Sequence, residues 1–362
     1  MTSDSFENLL EELTNVGGPS GFEEPVRRIV ERELKPIVDT QEIDGLGSSI
    51  STLANESVKC RVLLSAHMDE LGLLVKRITP EGFLKFQPIG GWLPQAIIGQ
   101  RWIVKTHKAE IPGITGIKTI HVMSPKERGE IFDVDGMFID VGATSGEDAQ
   151  SRLGVRPGDP VYPDSKFKAL EGGARFIGKA WDDRVGVAVL VRVMKNLAEV
   201  KPSITVVGAA TVQEEIGLRG AQTSGYLAEA DIAINLESGV AGDYPSISLD
   251  EAQEQIGGGP SIFFHDSSMI PNTRFRDFVV DLAARENIPI QFNVLSGYGQ
   301  DGSAIQRTRG GAPVVNIGVP TRYLHSHQGL VARHDIEECV RLVTKIVMSL
   351  TDNVVENLRS FD

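Results

Sequence analysis

Only two cysteines occur in 362 residues, Cys60 and Cys339, and neither belongs to a close-spaced motif. That excludes a disulfide framework and a cysteine-based zinc knuckle, and it fits a reducing compartment. Long apolar runs are also missing: no stretch approaches the ~18 consecutive apolar residues of a membrane helix. The opening stretch MTSDSFENLLEELTNVGG is acidic and amphipathic rather than basic and then apolar, so it does not read as a signal peptide. Positive charge is scarce. The formal net charge is −13 and no basic stripe is present, which argues against nucleic acid as a partner and leaves an acidic surface that serves solubility. No repeat or low-complexity tract is visible. A cytoplasmic protein with neither membrane nor nucleic-acid partners is expected.

What is present is ordinary for a globular chain with ample core, 41% hydrophobic and 23% charged, at a length that suggests two or three domains. Phe6, Leu9, Leu10 and Leu13 recur at helical spacing after possible caps Ser3 and Asp4. GGPSGFEEP interrupts, and Val26, Ile29, Val30 and Leu34 mark a second helix ending by Pro36. RVLLSAH, at 61–67, is a short apolar run of the kind covered on both faces of a parallel sheet. From 72 to 164 short runs punctuated by Gly and Pro replace helical periods, predicting a separate small β domain, a barrel or sandwich. Alternation then resumes: a helix over 184–199, strands over 204–213 and 231–237, a helix around Phe275–Ala283, and a strand in APVVNIGV. Ile336, Val340, Val343, Val347 and Leu350 stripe the closing helix, for which Asp335 and Glu338 have capping-box spacing.

Five stretches end a strand or a glycine-rich turn with a metal-capable side chain: SAHMDELG, KAWDDRVG, VQEEIGLRG, INLESGVAGDYP and TRYLHSHQG. Functional groups of open α/β sheets gather just past the carboxyl ends of strands. The side chains so delivered include His67, Asp69, Asp182, Asp183, Glu214, Glu215, Glu237, His325 and His327. So many carboxylates in one cleft need one or two dications to screen them, and imidazoles mixed with carboxylates suit Zn²⁺ or a related first-row metal. Each stretch also has a plain structural reading. Asp182 has equal claims as a helix cap and as a ligand; His67 could be a satisfied strand-end histidine; Glu214 and Glu215 could lie in a solvated loop. Glu237 could form a surface salt bridge, and His325 or His327 could be exposed. Their shared placement at strand ends and turns favours the metal.

Taken in order, SAHMDELG, WDDRVG, VQEEIGLRGA, LESGVAGDYP and TRYLHS resemble the tetrahedral (TET-type) dinuclear metalloaminopeptidases, the glutamyl aminopeptidase group whose members were sometimes labelled cellulases. The resemblance spans essentially the whole chain. It implies an α/β fold: a mixed-sheet, phosphorylase/hydrolase-like zinc peptidase domain of residues 1–71 and 165–362, with an inserted small PDZ-like β-barrel dimerisation domain at 72–164. It implies two divalent cations, Zn²⁺ ahead of Co²⁺ or Mn²⁺. His67 and Glu237 would hold one, Glu215 and His325 the other, with Asp182 and a water or hydroxide bridging them. Asp69 would orient His67, Glu214 would be the general base, and the Asp182–Asp183 peptide would be cis. Short peptides would be the substrates, cleaved by a two-metal bridging-water mechanism, and the chain would form homodimers and a homododecamer.

The sequence departs from the family pattern in three places. Glu237 stands where many members have Asp, which leaves Asp243 as a lesser ligand candidate. TRYLHSHQG offers His325 and His327, of which the pattern selects His325 and leaves His327 to the pocket. SGYGQDGSAIQ puts Gln300 before Asp301 in the loop that shapes the substrate pocket. The neighbouring alternative is a dinuclear zinc deacylase or carboxypeptidase. A glycosidase would need two separated carboxylates and no metal, and a metal-storing scaffold would leave Glu214 without work.

Overall fold

The computed structural model describes residues 5–130 and 132–361; the expected caps Ser3 and Asp4 lie outside them. In chain order the strands are β1 Thr40–Ile43, β2 Ser49–Leu53, β3 Arg61–His67, β4 Gly72–Ile78, β5 Leu84–Ile89, β6 Arg101–Lys105, β7 Glu110–Gly116, β8 Phe138–Asp140 and β9 Pro160–Pro163. They continue as β10 Lys168–Leu170, β11 Arg175–Gly178, β12 Thr205–Thr211, β13 Ile232–Val240, β14 Ser261–Ser267, β15 Gln291–Tyr298, β16 Val314–Arg322 and β17 Gly329–Ala332. Among the described residues, eleven strands form one mixed sheet whose main path is β1-β2-β12-β3-β13-β16-β17-β11-β10, with β14 paired to β16 and β15 to β14. Strands β4 to β9 close an antiparallel barrel in the order β4-β5-β8-β7-β6-β9. The fold is therefore α/β with an inserted barrel.

The centre of the sheet sets up everything that follows. β12, β3, β13 and β16 are adjacent and mutually parallel, with Thr211 opposite His67 and Glu237 opposite Gly318. Their residues are apolar on both faces because both faces are covered. Val62, Leu64 and Ala66 of β3 enter the larger core with the helix Trp181–Val200, whereas Leu63 points into a second core with Ala221, Ala304 and Ile305. The helices Ser5–Asn15 and Glu24–Leu34 bury the expected apolar stripes on the same side as Trp181–Val200. The barrel has a core of its own around Leu73, Phe86, Trp102, Val104 and Ile139.

A buried ionic knot fastens the N-terminal segment beneath the sheet. Lys179 Nζ donates to both Glu70 oxygens at 2.7 Å, and Arg184 donates to the carbonyls of Leu13, Val16, Gly18 and Met68. Arg184 forms hydrogen bonds where an isolated buried cation would be prohibitively costly.

The expected capping box at the closing helix does not form. The helix Arg333–Ser349 starts after Ala332 with no side-chain cap, so Asp335 lies inside its first turn. The Asp335 carboxylate instead accepts the Gly257 and Gly259 N–H groups at 2.7 and 2.8 Å, and Glu338 pairs with Arg341. A loop that needs acceptors has claimed the aspartate.

Glu254, fully buried, packs against β13 so closely that a Cβ at Gly239 would lie 2.0 Å from its Oε2. Burial, with the Asp335 charge adding, pushes its carboxyl up to about 8. An unfolded glutamate ionises near 4.5, so between about 4.5 and 8 the unfolded chain has released a proton that the folded chain retains. Stability therefore falls as pH rises through that window. Glu254→Gln, which still accepts from Asn293, should raise Tm at pH 8, with the gain fading by pH 4.5. Thermal scans showing the same difference at both pH values would contradict this.

Candidate metal centre

Each candidate residue arrives by a distinct local device. His67 is the last residue of β3, and Glu237 lies within β13. β12 ends at Thr211, after which Gln213 adopts a left-handed φ of 56° and the chain turns through Glu214 and Glu215. Asp182 sits at the start of the helix Trp181–Val200, just after Ala180 at φ 56°, and the Asp182–Asp183 peptide is cis. His325, three residues past β16, is itself left-handed at φ 55°. Non-glycine residues in this region are uncommon and cluster where a site imposes them.

These turns bring the side chains together. His67 Nε2 lies 2.9 Å from Asp182 Oδ1, 3.5 Å from Glu237 Oε1 and 4.0 Å from Glu214 Oε2. His325 Nε2 lies 3.3 Å from Asp182 Oδ2 and 4.0 Å from Glu215 Oε1. Two donor groups result, His67–Asp182–Glu237 and Asp182–Glu215–His325, each with its ligand atoms within 4.8 Å of one another. Asp182 belongs to both, offering a different oxygen to each histidine. The helix N-terminus is served instead by Asp183, whose Oδ1 accepts the Gly186 N–H at 2.9 Å.

The surrounding residues hold this geometry. Asp69 Oδ1 stands 3.3 Å from His67 Nδ1, and the same carboxylate accepts the Glu214 and Glu215 N–H groups at 2.9 and 3.1 Å and the Ser20 hydroxyl at 2.6 Å. The carbonyl of Gly91, from the loop after β5, lies 2.8 Å from His325 Nδ1 and orients that ring from the barrel side. Neither contact of Ser20 nor of Gly91 is foreseeable, because Ser20 lies in a stretch that reads as a breaker between helices and Gly91 in the glycine- and proline-punctuated β insertion.

Four other candidates lie outside the donor groups. Asp243 forms a bidentate pair with Arg322 at 2.8 and 2.5 Å. His327 packs its ring 4.2 Å from that of Trp102 and bonds the Arg101 carbonyl, at the junction with the barrel. Asp301 is buried beside the donor groups and accepts the Thr211 hydroxyl at 2.6 Å, while the adjacent Gln300 is buried with no hydrogen-bond partner on its amide among the described residues.

The chemistry of this donor set fits divalent cations. Burial pushes Glu215 up to about 8 and Glu237 up to about 7, with the Asp182 charge adding to both. Glu214 is driven well above the usual carboxylate range, first by burial and then by Asp301, Glu237 and Glu215. Asp182 is partly buried, yet its bonds with His325 and His67 hold it well below that range. Glu215 Oε1 is buried without a hydrogen-bond partner among the described residues. A cation would supply the charge these carboxylates need and a partner for that oxygen.

Carboxylates and imidazoles, partly to fully buried and gathered past the strand ends around Asp182, beside a glutamate outside both donor groups, define a metal-dependent hydrolase. The M42 glutamyl aminopeptidase family model matches residues 47–342. FrvX of Escherichia coli (strain K12) is 36% identical over 98% of this chain and 98% of its own. The structure of a TET aminopeptidase from a marine sediment archaeon, Thaumarchaeota archaeon SCGC AB-539-E09, superposes with a TM-score of 0.96 at 40% identity, covering 99% of this chain and 100% of that one. Pyrococcus horikoshii TET1 peptidase, which can assemble into a tetrahedron or a large octahedral shell, superposes at 0.86 with 31% identity, over 96% of this chain and 100% of the other. The chain belongs to the M42 glutamyl aminopeptidase family, of TET type, and is a metal-dependent aminopeptidase that hydrolyses N-terminal peptide bonds. That membership sets the deacylase reading aside.

The barrel's approach to this centre can be tested at one glycine. A Cβ at Gly90, whose φ is 78°, would meet Leu71 Cδ2 at 2.1 Å and Glu215 Oε2 at 2.9 Å. Gly90→Ala should keep the fold but displace Glu215, lowering bound metal per chain and turnover together. Unchanged metal content by elemental analysis would contradict that placement.

Proposed function

We propose that this chain trims N-terminal residues from short peptides in the cytoplasm with two divalent cations, Zn²⁺ first, Co²⁺ or Mn²⁺ being compatible with the same donors. The observation that carries the reading is the pair of donor groups sharing Asp182. His67, Asp182 and Glu237 would hold one cation, and Asp182, Glu215 and His325 the other. Bound there, the cations would polarise the scissile carbonyl and acidify water towards neutral pH.

The remaining work falls to the chain. Glu214, 4.0 Å from His67 Nε2 and outside both donor groups, takes a proton from the attacking water and returns it to the amine nitrogen as the C–N bond breaks. Its raised proton affinity, from burial and like-charged neighbours, suits a carboxyl that must keep a proton between those two events. Asp69 holds the His67 ring so that Nε2 faces Asp182. Asp301 and Gln300 are assigned to the substrate pocket with His327 at its barrel side. A recess walled by Leu71, Trp92, Trp181 and Tyr323 opens beside Asp182 and His325, and the peptide would approach from that side.

The inserted segment 72–164 is assigned to dimerisation, with dimers building a homododecamer. The shells formed by the Pyrococcus horikoshii relative support this, as do the exposed apolar side chains of Ile114, Ile120 and Val122.

Glu214→Gln should retain the metal content of the wild type while kcat on a panel of aminoacyl reporters falls by roughly 10²–10⁴-fold. The same panel, run with chelator and with metals restored, reads the first-residue preference. Wild-type turnover by Glu214→Gln would remove Glu214 as the base.

A further inference from the structure

Three consecutive N–H groups follow the end of β12, those of Gln213, Glu214 and Glu215. Asp69 accepts the second and third. The first is accepted by Glu23, which lies 190 residues earlier in the chain. Glu23 Oε1 receives the Gln213 N–H at 3.0 Å and the Gly21 N–H at 2.8 Å, and the residue is 5% exposed. Gln213 needs this help, since its left-handed backbone is disfavoured for a side chain without a special function there.

Internal bonds hold the carbonyl ends of these same peptides. Glu214 O accepts Gly217 and Leu218 N–H, Gln213 O accepts Arg219 N–H, and Val212 O accepts Gly220 N–H, at 2.9 to 3.1 Å. The peptide planes that aim the two glutamates are thus pinned at their carbonyls by the turn and at their N–H groups by the Glu23 and Asp69 carboxylates. Ser20, from the same segment as Glu23, donates to Asp69 at 2.6 Å, so GGPSGFEEP grips both acceptors.

We infer that Glu23 is a positioning residue for the peptidase reaction: by accepting the Gln213 N–H it holds the left-handed turn that aims Glu214 into the metal centre. This rests on the reading of Glu214 as general base. No proton transfer is asked of Glu23, only an accepting oxygen in a fixed place. Burial, reinforced by Asp69, raises its carboxyl to about 7, so near neutrality much of that role falls to an uncharged group. Glutamine can imitate it through its own Oε1; alanine cannot, and aspartate is one methylene too short.

In the metal-loaded enzyme, Glu23→Ala should lower kcat by roughly 10²-fold, the scale of a misplacement of about 1 Å, with KM and metal content unchanged. Glu23→Gln should recover most of that loss. Amide hydrogen exchange over 213–215 should quicken in Glu23→Ala beyond any change in the β3 amides. Wild-type kcat in Glu23→Ala overturns the inference, as does a loss that merely follows Tm and is shared equally by Glu23→Gln. If Glu23→Ala does not fold, Glu23→Asp against Glu23→Gln decides: impairment of Asp alone supports the positioning role, and equal activity refutes it. Glu214→Gln run in parallel separates the two readings. Turnover persisting there removes the base and this inference together, whereas an inert Glu214→Gln beside a fully active Glu23→Ala removes this inference alone.

Discussion

Like charges confined at one edge of a buried sheet are the constraint on which the rest of the structure depends. β12, β3, β13 and β16 run side by side and end on the same edge, where His67, Glu214, Glu215, Glu237 and His325 collect around Asp182. Carboxylates withdrawn from water at such spacing resist ionising together. The protein answers with two imidazoles aimed at opposite oxygens of Asp182 and with backbone donors aimed at Asp69. Cations complete that balance. Glu214 is then the one glutamate of the adjacent pair outside the donor groups, so neighbours in sequence acquire different chemistry from their surroundings.

Holding this arrangement takes three parts of the chain that are distant in sequence. The sheet supplies the ligands, the N-terminal segment grips the turn through Glu23 and Ser20, and the loop after β5 presents Gly91 to His325. The Lys179–Glu70–Arg184 knot binds the first of these supports to the second. Consequently the inserted barrel reaches the centre directly, and a change in it can alter the chemistry. With the proposed dimerisation through the same segment, association would gain a physical route to activity.

The strands that carry ligands were legible because a strand buried on both faces must be apolar throughout, and a charge at its end then stands out. RVLLSAH and ITVVGAATVQ both show this, and their resemblance to a family joined them to Asp182 and His325. Helices with regular apolar stripes, such as Val26 to Leu34, were equally plain. The edge strands β1, β10 and β15 are not legible, since exposure on one side mixes their burial, and β2, β11, β14 and β17 are hidden because their pairing is decided by distant partners. Asp335 misled because capping-box spacing is local while its actual hydrogen bonds go to Gly257 and Gly259. Glu23 lies inside a glycine- and proline-rich breaker, where nothing in the spacing discloses a bond to Gln213.

The central claim is that one carboxylate, Asp182, joins two cation sites. Anomalous diffraction at the metal absorption edge from metal-loaded crystals tests it most directly. The account predicts two anomalous peaks flanking Asp182, one also touching His67 and Glu237, the other Glu215 and His325. A single peak, or two peaks that do not share Asp182, would contradict it.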